Sequence, residues 1–169
     1  MAKPNFDMMW ARFPTKLEYP YLKDLFTHLG GAAERNIDAP GFGPYGNTCA
    51  ARMSVALKAG GVMITSGAGI ETLGTADGSR IIFRVQEMRL FLIRLLGKPE
   101  RDVTLPFDSQ FTKRRGIISF GVTGWSDATG HIALFDKGKY RDQGDDYSMQ
   151  VATRDSAART TVGEFWELP

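Results

Sequence analysis

The 169-residue chain contains one cysteine and two histidines, and this scarcity excludes several classes of protein. A single cysteine cannot form an intrachain disulfide, so the sequence does not fit a small disulfide-stabilised secreted scaffold. One cysteine and two histidines also supply too few ligands for a structural zinc site. We therefore expect an apolar core to hold the fold, without a metal or other cofactor. The length predicts a single domain spanning residues 1–169.

Long hydrophobic runs and an excess of charge of one sign are also missing. Lysine and arginine number 21 and aspartate and glutamate 19, so the formal net charge is only +2. This balance predicts no nucleic-acid partner, because no basic field is present to meet phosphates. The longest uncharged apolar stretch, residues 60–70, is too short for a membrane-spanning helix. The N-terminal residues lack the apolar run of a secretory signal, so we expect a chain made in the cytoplasm without membrane insertion.

Helical spacing of apolar residues predicts three helices in the first hundred residues. The predicted helical segments are YLKDLFTHLGG, NTCAARMSVALKAGG and RIIFRVQEMRLFLIRLLGKP. Asn47 or Thr48 is expected to cap the second helix and Ser79 the third, and a glycine follows each helix. The glycine-rich residues 67–78 are expected to form a loop.

From residue 100 onward, apolar residues alternate with a period of two, which is typical of strands. The expected strands are RGIISFGV, HIALFD, DYSMQVA and EFWEL. Because helices precede strands along the chain, we predict an α+β fold with an antiparallel sheet. Residues 41–46 fit the pattern G-x-G-x-x-G, but no predicted strand precedes them. We therefore interpret them as a loop before a helix and not as a dinucleotide-binding motif.

Cys49 is the principal candidate for a catalytic residue. A lone cysteine is most often a small buried hydrophobic residue. However, Cys49 is expected in the first turn of the second helix, where free N–H groups and the positive end of the helix dipole favour a thiolate. The same N–H groups can stabilise the oxyanion of an acyl-transfer intermediate.

A thiolate nucleophile needs a base, and the sequence offers two histidines. His28 lies near the C-terminal end of the first helix, where the helix carbonyl groups give it a structural explanation. His131 opens the strand HIALFD, and from there it can point from the sheet rim towards the start of a packed helix. A third residue is expected to orient the imidazole and stabilise its charged form. Candidates are the acidic residues at or beyond the end of this strand: Asp136, Asp142, Asp145 and Asp146.

Several motifs together resemble the fourth family of type VI secretion amidase effectors. NTCAARMSVALKAGG, LFLIRLLGKP, RGIISF, GWSDATGHIALFD and EFWELP follow one another in the family's order over most of the chain. The resemblance implies a papain-like cysteine hydrolase related to the NlpC/P60 peptidases. It further implies hydrolysis of the amide bond between D-glutamate and meso-diaminopimelate in peptidoglycan stem peptides.

Transferred residue by residue, the resemblance places the nucleophile at Cys49 and the base at His131. The acid lies in the turn beyond the histidine strand, where spacing favours Asp142. Asp145 and Asp146 remain alternatives, because the segment KGKYRDQGDDY matches the family pattern only loosely.

The resemblance also implies how the remaining site residues act. The N–H of Cys49 would stabilise the oxyanion, with Tyr45 or Asn47 as a second donor. Arg52 and the glycine-rich loop would meet substrate carboxylates, although a solvated or salt-bridged Arg52 is the more ordinary interpretation.

The resemblance extends to location and partners. It implies an antibacterial effector that is made in the producer's cytoplasm, exported by the type VI secretion machinery and active in a neighbouring bacterium's periplasm. It also implies a periplasmic immunity protein that occludes the cleft. Two alternatives remain open: a hydrolase or acyltransferase of the same fold that acts on another amide, and a non-catalytic binding module with Cys49 in its core.

Overall fold

The computed structural model describes residues 3–43, 46–125 and 130–169. Its helices are α1 (Phe6–Arg12), α2 (Leu22–Leu29), α3 (Gly31–Arg35), α4 (Cys49–Ala59) and α5 (Val85–Leu96). Its strands are β1 (Thr72–Gly74), β2 (Arg80–Ile82), β3 (Glu100–Asp102), β4 (Arg115–Thr123), β5 (Gly130–Asp136), β6 (Lys139–Tyr140) and β7 (Arg159–Glu167). None of these helices is both long and apolar enough to cross a membrane.

Five strands form one antiparallel sheet in the order β3-β7-β4-β5-β6. The long strands β4, β5 and β7 lie at its centre, and Phe120 of β4 stands opposite His131 of β5. Helices precede this sheet along the chain, which confirms the predicted α+β class. Because β1 is the first strand described, residues 41–46 do not follow a strand, as the sequence indicated.

Apolar side chains fill both faces of the sheet, because successive residues of a strand point to opposite sides. On one face, Ile117, Ile132 and Leu134 pack against residues of α1, α4 and α5. On the other face, Phe120 and Phe135 belong to a second cluster under the loops. Because both faces are packed, the positions of the central strands are fixed. The end of the sheet at which β5 begins is fixed with them.

The third predicted helix begins later than expected, at Val85. The residues before it form β2, which pairs with β1 so that Leu73 stands opposite Ile81. Asp77 accepts hydrogen bonds from the N–H and the hydroxyl of Ser79, so Ser79 belongs to the hairpin turn and does not cap a helix. The predicted loop therefore contributes β1, and the first residues of the predicted helix form β2. The β-branched side chains of β2 favour strand pairing over helix formation.

The strand predicted for DYSMQVA is also wrong. Asp146 accepts hydrogen bonds from the N–H and the hydroxyl of Ser148, and such local side-chain bonds compete with a sheet ladder. The carbonyl of Tyr147 accepts a hydrogen bond from the Thr160 hydroxyl, which holds this irregular segment against β7. The strand beyond β5, at that edge of the sheet, is instead the short β6. Three further elements, α1, α3 and β3, lie where none was predicted.

Candidate active site

Cys49 is the first residue of α4, as its sequence position indicated. Its backbone N–H donates to Oδ1 of Asn47 at 3.0 Å. Thr48 occupies the N-cap position, but its hydroxyl accepts from Nε of Arg52 instead of capping the helix. Of the two expected caps, Asn47 therefore makes the side-chain bond. The cysteine is 5% exposed, at the floor of a cleft.

His131 is the second residue of β5, and its ring pairs with two side chains. Nε2 lies 2.8 Å from Oδ1 of Asp145. A hydrogen bond also joins the imidazole to the Cys49 side chain. Because Nε2 faces Asp145, Nδ1 is the ring nitrogen that remains for the thiol. The structure therefore brings Cys49, His131 and Asp145 into one line of hydrogen bonds.

The carboxylate on His131 belongs to Asp145, whereas spacing favoured Asp142. Both oxygens of Asp142 accept from the backbone N–H of Lys16, at 3.1 and 2.9 Å, and one also accepts from the N–H of Gln143. Asp142 is thus directed at the chain segment before α2. The side chains of this irregular turn point in different directions, and the spacing of the residues along the sequence does not predict those directions. Burial raises the pKa of Asp142, although the Lys16 N–H opposes this change.

The remaining sequence-based candidates lie away from the imidazole. Asp146 bonds Ser148 in the local turn described above. Asp136 ends β5 at the opposite end of the strand from His131. His28 stacks on Tyr19 with ring centroids 4.6 Å apart, which agrees with its structural interpretation. Tyr45, suggested as an oxyanion donor, lies outside the described residues.

The environment of His131 favours its protonated form. Burial by itself lowers the pKa of an imidazole, but the hydrogen bonds to Asp145 and Cys49 and their negative charges outweigh this effect. The pKa of His131 is raised to about 9. Near neutral pH the ring therefore carries a proton, and it faces Cys49 as an imidazolium.

Arg52 is a buried cation directly behind these groups. It is 2% exposed and donates to the Thr48 hydroxyl and to the carbonyls of Pro14 and Tyr19, at 2.7, 3.0 and 2.5 Å. Burial lowers its pKa, while the charges of Cys49, Asp142 and Asp145 oppose this change. Arg52 is therefore not solvated, and it forms no salt bridge with any residue that the structure describes. It adds positive charge near the thiol and ties α4 to the segment before α2.

The hydrogen-bonded groups line a cleft of about 470 Å³ that opens to solvent. Aromatic side chains contribute to its walls, and Lys16 is a cation on its lining that no sequence pattern singled out. The polar and titratable residues on the lining include Lys16, Asn47, Cys49, Arg52, His131 and Asp145. A cleft of this size is typical of a small-molecule or peptide site.

Comparison with known proteins identifies the family of this chain. The family model for type VI secretion system (T6SS) amidase effector protein 4, Tae4, matches residues 45–166. No curated protein sequence matches the chain.

Several solved structures are similar over nearly the whole chain. Tae4 from Enterobacter cloacae, solved with the immunity protein Tai4, is 31% identical, with a TM-score of 0.78 and coverage of 99% of this chain and 100% of that chain. Tae4 from Salmonella typhimurium, solved with Tai4 from Enterobacter cloacae, is 28% identical, with a TM-score of 0.81 and the same coverage. Tae4 from Enterobacter cloacae solved alone is 32% identical, with a TM-score of 0.77 and coverage of 99% and 98%.

These similarities confirm the α+β architecture of the papain-like, NlpC/P60-related type. The match to the family model spans most of the chain, from just before the candidate nucleophile to the last strand. The chain therefore belongs to the family of type VI secretion system amidase effectors 4.

Proposed function

We propose that the protein is an antibacterial cysteine hydrolase that cleaves the D-glutamyl–meso-diaminopimelate amide of peptidoglycan stem peptides. The observation that carries this proposal is the hydrogen-bonded line Cys49–His131–Asp145 at the floor of an open cleft. A nucleophile, a base and an orienting acid in this order are the parts that acyl transfer requires. The family membership supplies the amidase and effector classes.

In this mechanism, the Cys49 thiolate attacks the amide carbonyl carbon. The Sγ–C bond forms and the carbonyl oxygen becomes an oxyanion. The His131 imidazolium then donates its proton to the amide nitrogen as the C–N bond breaks, leaving a thioester and a free amine. A water molecule gives one proton back to His131 and attacks the thioester, which releases the carboxylate and regenerates the thiolate.

The oxyanion needs a donor, and in this proposal the N–H of Cys49 at the start of α4 takes that role. In the structure this N–H is bonded to Oδ1 of Asn47. Rotation of the Asn47 side chain frees this N–H for the oxyanion. The same rotation can present the Nδ2–H groups of Asn47 as further donors.

In this proposal, Asp145 takes the role of the third residue. Its bond to Nε2 fixes the ring so that Nδ1 faces the thiol, and its charge stabilises the imidazolium. Asp142, the acid favoured by spacing, is the alternative. Its proposed role is to hold the chain at Lys16.

We further propose that residues 1–169 form a single amidase domain that acts in the periplasm of a target cell after export by a type VI system. The complexes of related Tae4 proteins with Tai4 support a cognate immunity protein for this chain. Such a partner is expected to cover the cleft, and protection of Cys49 from iodoacetamide in the complex would test this.

Mass spectrometry of a muropeptide digest tests the proposed reaction. Purified diaminopimelate-containing peptidoglycan, incubated with the protein, should yield fragments ending in D-glutamate and fragments beginning with a free diaminopimelate amine. Cleavage at another amide would support a different hydrolase of the same fold. Binding without cleavage would support a non-catalytic module.

The raised pKa of His131 predicts the pH dependence of the reaction. The imidazolium must protonate the leaving amine, so kcat/KM should fall as pH rises through about 9, where His131 loses its proton. Because Asp145 helps to raise this pKa, Asp145→Asn should move the His131 titration to lower pH. Proton NMR can follow the ring directly, since the chain has only two histidines and His28→Gln identifies the second. A His131 midpoint that Asp145→Asn leaves unchanged would contradict the assignment.

A further inference from the structure

Lys16 lies in a segment that the catalytic elements hold in place. Its backbone N–H is bound by both oxygens of Asp142. On either side of it, the carbonyls of Pro14 and Tyr19 accept from the buried guanidinium of Arg52. The main chain around Lys16 is therefore fixed to α4 and to the turn that carries Asp145.

The side chain of Lys16 is a cation on the lining of the cleft. Arg52, which also lines the cleft, donates to neutral oxygens of the protein. Among the described residues, none of the ion pairs and side-chain hydrogen bonds involves the ammonium of Lys16. Its Nζ lies 3.9 Å from the point that a Cβ on Gly144 would occupy, next to Asp145 in sequence. Within the described part of the chain, a half-buried ammonium without a polar partner thus lies in the same cleft as Cys49 and His131.

We propose that Lys16 recognises a carboxylate of the stem peptide close to the scissile amide. This inference rests on the proposed function. In the proposed substrate, glutamate is joined through its side-chain carboxyl, so its α-carboxylate is free. That group lies four C–C bonds, or about 5 Å, from the scissile carbonyl carbon. The far end of diaminopimelate carries a second free carboxylate.

A carboxylate is the ligand that this site suits best. The ammonium offers three donors on a flexible stem, which can form a charge-assisted hydrogen bond to either substrate carboxylate. The fixed backbone of Lys16 limits where the stem begins, so binding costs less conformational freedom than for a lysine on a mobile loop. Lys16 is therefore a specificity-determining residue of the proposed reaction.

Three synthetic stem peptides test the proposal. One is the free acid, the second carries an α-carboxamide on D-glutamate, and the third carries a carboxamide on diaminopimelate. For the wild-type protein, kcat/KM should be about tenfold higher for the free acid than for the peptide that lacks the recognised carboxylate. Lys16→Gln should lose about tenfold on the free acid and little on that amidated peptide, whereas Lys16→Arg should keep most of the preference.

The comparison also contains its controls. Lys23→Gln removes an exposed lysine of α2 that does not line the cleft, and it should behave as wild type. An unchanged rate of Cys49 alkylation in Lys16→Gln shows that the catalytic groups are intact. The amidated peptide for which Lys16→Gln no longer lowers kcat/KM identifies which of the two carboxylates Lys16 binds.

Two results would overturn the inference. If Lys16→Gln lowers kcat/KM equally for all three peptides, or for none, Lys16 does not read a substrate carboxylate. If the wild-type protein cleaves none of the peptides at the D-glutamyl–diaminopimelate bond, the proposed function fails as well. The first pattern leaves the proposed function standing, so the two failures are distinguishable.

Discussion

Cells that export the Cys49→Ala variant to the periplasm are expected to stay intact, whereas cells that export the wild-type protein should lyse. Alanine removes the only thiol of the chain and with it the covalent intermediate. Loss of the nucleophile from a catalytic triad costs roughly 10⁶-fold in kcat. The measurement is culture turbidity after induction of each protein fused to a periplasmic signal peptide, in a bacterium whose wall contains diaminopimelate.

Two controls separate catalysis from folding and location. Cys49→Ala removes a single sulfur atom at the start of α4, so far-ultraviolet circular dichroism and the unfolding midpoint should remain close to wild type. The wild-type protein without a signal peptide should be harmless, because the cytoplasm contains no mature peptidoglycan. Lysis by exported Cys49→Ala, or killing by the unfused wild-type protein, would show that the effect does not come from the proposed hydrolysis.

Replacement of Asp145 by asparagine is expected to lower kcat by about 10⁴-fold, a loss typical of the orienting acid in a triad. Asparagine retains the size of the side chain and can still bond Nε2 of His131, but it removes the negative charge. Its Nδ2–H can also donate to an unprotonated Nε2, which places the ring proton on Nδ1, where the imidazole can no longer accept the proton of the thiol. Steady-state kinetics on muropeptides measures the loss.

Asp142→Asn is the matched control, since it makes the same chemical change in the neighbouring acid. Its carboxylate bonds the Lys16 N–H and not His131, so the expected loss is about tenfold and lies mainly in KM. If Asp142→Asn abolishes turnover while Asp145→Asn is nearly as active as wild type, the orienting role belongs to Asp142, as the sequence spacing predicts.

The positions of Cys49 and His131, the proposed nucleophile and base, were accessible from sequence because local rules decide them. Polar residues before an apolar periodic segment place Cys49 at the start of a helix, and Asn47 supplies the expected side-chain bond. Alternation of apolar residues places His131 at the beginning of a buried strand. The α+β class, the antiparallel sheet and the C-terminal ends of α2, α4 and α5 follow from the same periodicities and from the glycines after them. Residues 80–82 instead joined a hairpin, because strand pairing outweighed the helical pattern.

Tertiary structure decides which carboxylate faces His131, the proposed base, and brings Lys16 to the cleft. Asp142, Asp145 and Asp146 lie within five residues of one another in an irregular turn, and periodicity assigns no direction to their side chains. Only the packed structure turns Asp145 to His131 and Asp142 to the Lys16 backbone, while Asp146 closes a local turn. Lys16 lies in the segment before α2, far from Cys49 and His131 along the chain, and the bonds of this segment to Arg52 and Asp142 bring it to the cleft. Residue type and local spacing determine which groups are chemically competent, whereas long-range packing decides which of them contact one another.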